Sequence, residues 1–297
     1  MNSNNLLTGI LVTVFAGMVF STMDTIGKQL TSVLPVLEIV WGRYFFQTLL
    51  MTGYLYRTSG TAFLRTRRPV LQWTRGAMLL TATLLMYFGL AHVPLGDATS
   101  VMFFSPIIIT ILSVIFLKET IGIHRIAAVI AGFCGVMLIV RPGASGTNPY
   151  LLLPLAAALA NALYMLLTRQ LAGSDEAPAT QFNTTAVGTV LLTVLVIPVW
   201  VTPSLPTFGL MVLIGLVGSI GHFCLVTAFR HAPASLLSPF LYSPVLASSA
   251  LSVLYFGDYI RLTTVIGTAV LIGSGVYIWW RENRNARALK VLTREGI

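Results

Sequence analysis

Apolar runs of helix-spanning length recur from Leu6 to Trp280, with short polar breaks between them. A bilayer core about 30 Å thick takes roughly 20 apolar residues per helix. The runs predict ten spans, at 6–27, 36–56, 72–91, 96–117, 124–140, 150–169, 180–200, 208–229, 236–256 and 262–280. The expected fold class is therefore an all-α integral membrane protein. Proline interrupts the fourth span at Pro106 and the ninth at Pro244. A proline inside a helix removes one hydrogen bond and pushes away the carbonyl four residues earlier. Met102 and Phe240 should then carry freed carbonyls, which hydrocarbon does not tolerate and which should face protein or a water-filled cavity. The paired kinks are expected to shape a central cavity; the alternative is plain curvature, with Ser105 and Ser243 satisfying the backbone.

Composition narrows the class. Hydrophobic residues make up 56% of the 297 and charged residues 9%, which leaves no room for a soluble catalytic domain. The chain has 18 Lys and Arg against 9 Asp and Glu. In a soluble protein that excess would suggest nucleic acid; here the cations sit in loops and at the tail, where they set topology. Arg57, Arg65, Arg67, Arg68, Arg75, Lys118, Arg125, Arg169, Arg230 and the tail fall on one side, and Lys28, Arg141 and Arg261 on the other. The asymmetry places both termini in the cytoplasm, with the protein in the cell inner membrane. The Arg65–Arg68 loop and the tail suit anionic lipid rather than nucleic acid. Cys134 and Cys224 lie inside apolar runs, which argues against a disulfide or zinc framework. The first run lacks a basic flank and reads as a retained helix.

The two halves repeat one another at offsets of 138–141 residues. His92-Val-Pro94 precedes the fourth span as His231-Ala-Pro233 precedes the ninth; Ser105-Pro106 matches Ser243-Pro244; Lys28-Gln-Leu30 matches Arg169-Gln-Leu171. Ser113 through Lys118-Glu119 closes the fourth span as Ser252 through Gly257-Asp258 closes the ninth. Five spans per repeat is an odd number, so the second copy enters the membrane upside down. The expected organisation is a first repeat at 1–142, an inverted second repeat at 149–281 and a basic tail at 282–297. Inverted repeats with helices broken at matching places characterise secondary transporters, which bind near the midplane between the repeats.

Pro94-Leu-Gly-Asp-Ala98, Ser105-Pro106, Leu117-Lys-Glu119 and the Gly-rich Ala131-Gly-Phe-Cys-Gly-Val136 together resemble the EamA domain of the drug/metabolite transporter superfamily. Trp41-Gly-Arg-Tyr44 is similar to that family's Arg-aromatic pair. The second half departs from the pattern at Gly257-Asp258 and has no match to Arg43 in the seventh span. Within the superfamily the chain most resembles the bacterial aromatic amino acid exporters. The resemblance implies ten helices around a central cavity, alternating access and no cofactor.

Several side chains are candidates for that cavity. Tyr87, Phe103, Tyr164 and Tyr242 lie inside spans, as do Trp41 and Tyr44. Aromatic rings bind planar or cationic ligands by stacking and cation–π contact, but they are also ordinary membrane filler. Asn161 shares a helix face with Tyr164, and Ser243 precedes the second proline. Polar groups inside spans face the bundle interior by default, which singles out Asp24, Arg43 and His222. Asp24 has Lys28 at i+4 as a bland partner, or Arg43 as a gate or structural partner at the same depth. His222 is either a proton relay or a neutral histidine bonded to a helix carbonyl. Ala128, Ala131, Gly132 and Gly135 in the fifth span, with Ala269 and Gly273 in the tenth, read as packing stripes between the repeats. They could instead serve an oligomer, although one chain holds both repeats and a monomer suffices.

The expected function is a secondary transporter that exports small amphipathic metabolites, aromatic amino acids foremost. Efflux of lipophilic or aromatic cations, or broad amino acid efflux, is the alternative. An intramembrane enzyme would need a signature the chain lacks: there is no HExxH, and Gly143-Ala-Ser-Gly146 sits in a turn-rich loop. A metal cargo would want carboxylates, and a polyphosphate would want several interior cations where Arg43 is the only one expected. Asp24, Arg43 and His222 are the candidates for gating or coupling.

Overall fold

The computed structural model describes residues 3–117, 122–141, 148–171, 174–232 and 234–294. Lys118-Glu119, Gly143–Gly146 and Pro233 lie outside the described residues. The rest is helical, with twelve α-helices and no strand among the described residues. They are α1 (Ser3–Leu30), α2 (Val36–Ser59), α3 (Pro69–Leu90), α4 (Leu95–Met102), α5 (Ser105–Leu117), α6 (Ile123–Val140), α7 (Leu152–Leu171), α8 (Ala177–Leu195), α9 (Leu205–His231), α10 (Ala234–Leu237), α11 (Ser243–Phe256) and α12 (Leu262–Arg294). α4 with α5, and α10 with α11, are each one span in two pieces, which leaves ten membrane helices in a multi-pass bundle. Six described segments are long and apolar enough to cross a bilayer by themselves. α2 and α3 carry Arg43 and Arg75, and α8 is rich in threonine.

Several threonines are satisfied locally. Thr83, Thr168, Thr184 and Thr193 each donate to the carbonyl four residues back at 2.7–2.9 Å, so their hydroxyls are not stranded in lipid. α12 does not stop at the membrane edge: Arg281 to Arg294 holds no Gly or Pro, and the helix runs on through it.

At the prolines the chain breaks rather than bends. α4 ends at Met102, a turn follows, and α5 starts at Ser105 with Pro106 second; α11 starts at Ser243 with Pro244 second. A proline in the first turn of a helix loses a donor that had no partner anyway. The carbonyl of Phe240 is therefore not freed as expected: it accepts from the backbone N–H of Ser243.

The helix pairs obey a two-fold rule. α1 packs on α9 as α7 packs on α3; α1 packs on α11 as α7 packs on α5; α2 packs on α9 as α8 packs on α3. α2 with α8 and α6 with α12 are self-matching pairs on the axis; α4 with α11 is not, because its counterpart is α10 with α5, which do not pack closely among the described residues. The repeats are inverted. The end of α1 meets the ends of α3 and α11 at one face, whereas the segment after α7 meets the start of α3 at the other. That second face carries most of the loop cations and is the basic end.

Packing stripes join α6 to α12, but not all those expected. A Cβ on Gly135 would lie 2.8 Å from the Gly267 carbonyl oxygen, and one on Gly132 would strike Ile107. Gly273 faces nothing within 4 Å, so the contact stripe of α12 passes through Gly267 instead.

Candidate functional site

A cavity of about 420 Å³ runs inward from Asp175 at the basic end, between α2, α3, α7, α8 and α9, as far as Gln47 and His222. Helical spacing builds its walls. Gln47 and Met51 share one face of α2, and His222, Leu225 and Phe229 share one face of α9. Two expected residues, Tyr164 and His222, line it. The His222 ring meets the edge of Phe20 at 5.1 Å between centroids.

Arg75 also lines this cavity, although its place near the start of the third span suggests a loop cation. It is 4% exposed. Its guanidinium donates to the hydroxyls of Thr168 (2.6 Å), Thr184 (2.8 Å) and Tyr164 (3.0 Å) and to the Thr180 carbonyl (3.1 Å). It also lies 4.7 Å over the Tyr164 ring. The expectation of Arg43 as sole interior cation is thus corrected. The available signal was position: Arg75 falls inside the predicted span at 72–91. At the mouth, Asp175 accepts from the Thr66 hydroxyl, the Arg67 N–H (2.7 Å) and Gln72 Nε2 (2.9 Å). Desolvation pushes its carboxyl up, but these hydrogen bonds and the Arg67 charge outweigh it and hold the group below the usual carboxylate range.

At the opposite end side-chain bonds join the helices around a surface depression of about 610 Å³. Lys28 donates to the Val93 carbonyl at 2.8 Å and pairs with Asp258 at 3.4 Å. Ser252 donates to the same Asp258 oxygen at 2.7 Å and accepts from the Gly96 N–H at 3.2 Å. Tyr255 donates to Gln29 at 2.9 Å. Lys28 is thus engaged across the bundle rather than with Asp24 on its own helix.

Asp24, Arg43 and Tyr87 come together between the cavity and these bonds. Asp24 sits two turns before the end of α1 and Arg43 two turns after the start of α2, at similar depth. They feel each other's charge but make no ion pair at contact distance. The Arg43 guanidinium lies 5.6 Å from the Tyr87 ring centre and 5.9 Å from that of Tyr44. Tyr87 is fully buried, its ring seated where a Cβ on Gly27 would stand.

The remaining candidates gather at the helix breaks. Phe103 and Tyr242, one residue from equivalence in the two repeats, stack tilted at 5.5 Å. Asn161 donates to the Ser105 hydroxyl at 3.0 Å, and Ser21, one residue past the matching place in α1, donates to the Pro244 carbonyl at 2.9 Å. The Ser243 hydroxyl, a cavity candidate with service to the backbone as the alternative, is buried beside Gly17 without a partner. The candidate residues therefore form three clusters rather than one pocket. Among the described residues no group of three or more His, Cys, Asp or Glu could hold a metal.

A solved structure with 17% sequence identity superposes at a TM-score of 0.64 over 96% of this chain and 99% of its own, and has the same fold. The chain is 26% identical to the S-adenosylmethionine uptake transporter of Rickettsia bellii, covering 89% of this chain and 90% of the relative. It is 28% identical to the pseudopaline exporter CntI of Pseudomonas aeruginosa (90% and 94% covered). It is 30% identical to the riboflavin transporter of Rhizobium johnstonii (95% and 94% covered). The EamA-like transporter family matches twice, over residues 7–141 and 148–280. With a family match in each half of an inverted ten-helix bundle, the chain belongs to the EamA-like transporter family.

Proposed function

We propose that the protein is a secondary transporter of the bacterial inner membrane that exports small amphipathic metabolites by alternating access, with aromatic amino acids as its leading substrates. The observation that carries this reading is the contrast between its two ends: a cavity that reaches inward to Gln47 and His222 at the basic end, and at the other a surface depression lined by Lys28 and Asp258, which bond to each other across the bundle. By the positive-inside rule the basic end faces the cytoplasm, where both termini then lie. The cavity is thereby loaded from inside, as export requires. Its volume falls in the range of small-molecule sites, about 300–1,000 Å³. Tyr164, His222 and Phe229 offer rings to a flat apolar substrate.

A second reading has a specific basis. The relatives are named for S-adenosylmethionine, pseudopaline and riboflavin, and for both uptake and export. A larger heteroaromatic cargo, or movement inward, agrees with those names. Counterflow in proteoliposomes separates the two. Protein loaded with unlabelled phenylalanine should transiently accumulate labelled tryptophan without an ion gradient. Accumulation of labelled riboflavin or S-adenosylmethionine, but not tryptophan, would favour the second reading.

A further inference from the structure

We propose that Asp24, Arg43 and Tyr87 form a subsite for an α-amino-acid head group, the carboxylate received by Arg43 and Tyr87 and the ammonium by Asp24. The inference deepens the proposed function and rests on it.

Four features of the cluster point to a ligand. First, its hydrogen-bonding capacity is unspent: Arg43 Nε and the Tyr87 hydroxyl are both buried without a protein partner. The Tyr87 hydroxyl lies close enough to Asp24 and Arg43 to interact with both, yet bonds neither in good geometry. Leaving such donors unpaired is costly in a low-dielectric interior. Two donors, one of them charged, suit a carboxylate.

Second, Asp24 and Arg43 do not meet at ion-pair distance, so neither side chain is capped by the other. Third, both retain some accessible surface although they lie deep among helices, so neither is enclosed on every side by packed side chains. Fourth, they adjoin the cavity. Arg43 stands one turn from Gln47 on α2, and Asp24 one turn from Phe20 on α1. Gln47 and His222 are the inner limit of the cavity, and Phe20 packs on His222. A substrate with its head group at Asp24 and Arg43 would lay its apolar body toward Met51, Leu225 and Phe229.

The competing account is a structural charge pair. The two accounts differ in selectivity. The test measures inhibition of labelled tryptophan counterflow by phenylalanine, by 3-phenylpropionate, which lacks the ammonium, and by 2-phenylethylamine, which lacks the carboxylate. The wild type should prefer phenylalanine over either by about tenfold to a hundredfold, the range of one hydrogen bond to a charged group. Asp24→Asn should erase the preference over 3-phenylpropionate and keep that over 2-phenylethylamine; Arg43→Gln should do the reverse. Misfolding lowers all three alike and cannot produce the crossed pattern. Equal inhibition by all three compounds in the wild type, or parallel changes in both variants, would overturn the proposal. Exchange of riboflavin with no amino acid exchanged would overturn it while leaving the carrier intact. No exchange of any compound would remove the carrier reading as well.

Discussion

At the residue scale, Arg75 shows how a charge is kept inside a membrane protein. Its donors are divided among α7 and α8, so the side chain joins three helices at the basic end. Arg75→Gln cannot span those acceptors and leaves several hydroxyls without their donor. The expected loss is about 3 kcal/mol, the order of two hydrogen bonds to a charged group, read as a lower unfolding temperature of the purified protein. Arg75→Lys should recover little, since an ammonium lacks the planar fork. Asp175 makes a pH prediction. Its folded carboxyl is held below the unfolded value of 3.8, so its stabilisation is fully present above that value and is lost as pH falls through the folded value. The unfolding temperatures of wild type and Asp175→Asn should differ by a constant amount from neutral pH down to about pH 5, then converge on acidification. Tyr164 and His222 were legible because polar groups inside apolar runs stand out. Arg75 was not, because an arginine near the edge of a span looks the same whether it turns outward or inward.

At the element scale, the breaks and the glycine contacts decide how the helices meet. The prolines were visible in the sequence; that each would open a new helix rather than bend an old one was not. That outcome depends on the turn at Phe103–Phe104 and on the 3-10 segment Ser238–Tyr242, which only packing fixes. Glycine stripes were visible too, but spacing cannot say which of two stripes on α12 faces α6. Gly267→Val should be destabilising by about 1–3 kcal/mol, because its Cβ would stand 2.5 Å from the Gly135 oxygen and 2.7 Å from Ile139. Gly273→Val should leave the unfolding temperature nearly unchanged. The side-chain bonds at the other end also belong to this scale. Asp258→Asn removes the counter-charge of Lys28 and weakens the acceptor of Ser252. A cysteine at Ser249, which packs on Gly96, should then react several-fold faster with a maleimide in detergent, in a background lacking Cys134 and Cys224.

At the scale of the whole molecule, the offset between the repeats announced the two-fold arrangement, and the principal helix pairs follow it except α4 with α11. Which end is closed was not legible. Both repeats carry the same motifs, so the sequence describes two closures related by the two-fold, and small differences in side-chain pairing choose between them. Phe103 and Tyr242 occupy a special place in such a molecule. They touch each other and stand one residue from strict equivalence, so an interchange of the two repeat shapes would carry the contact nearly onto itself. Lys28 is different: its partner in the repeat, Arg169, stands at the far end. A change on the axis enters both end states in the same way and can alter only how fast they interconvert. A change off the axis enters them unequally and shifts their populations. Phe103→Leu should therefore scale influx and efflux rates by one common factor, whereas Lys28→Met should redistribute the resting protein between its two orientations of access.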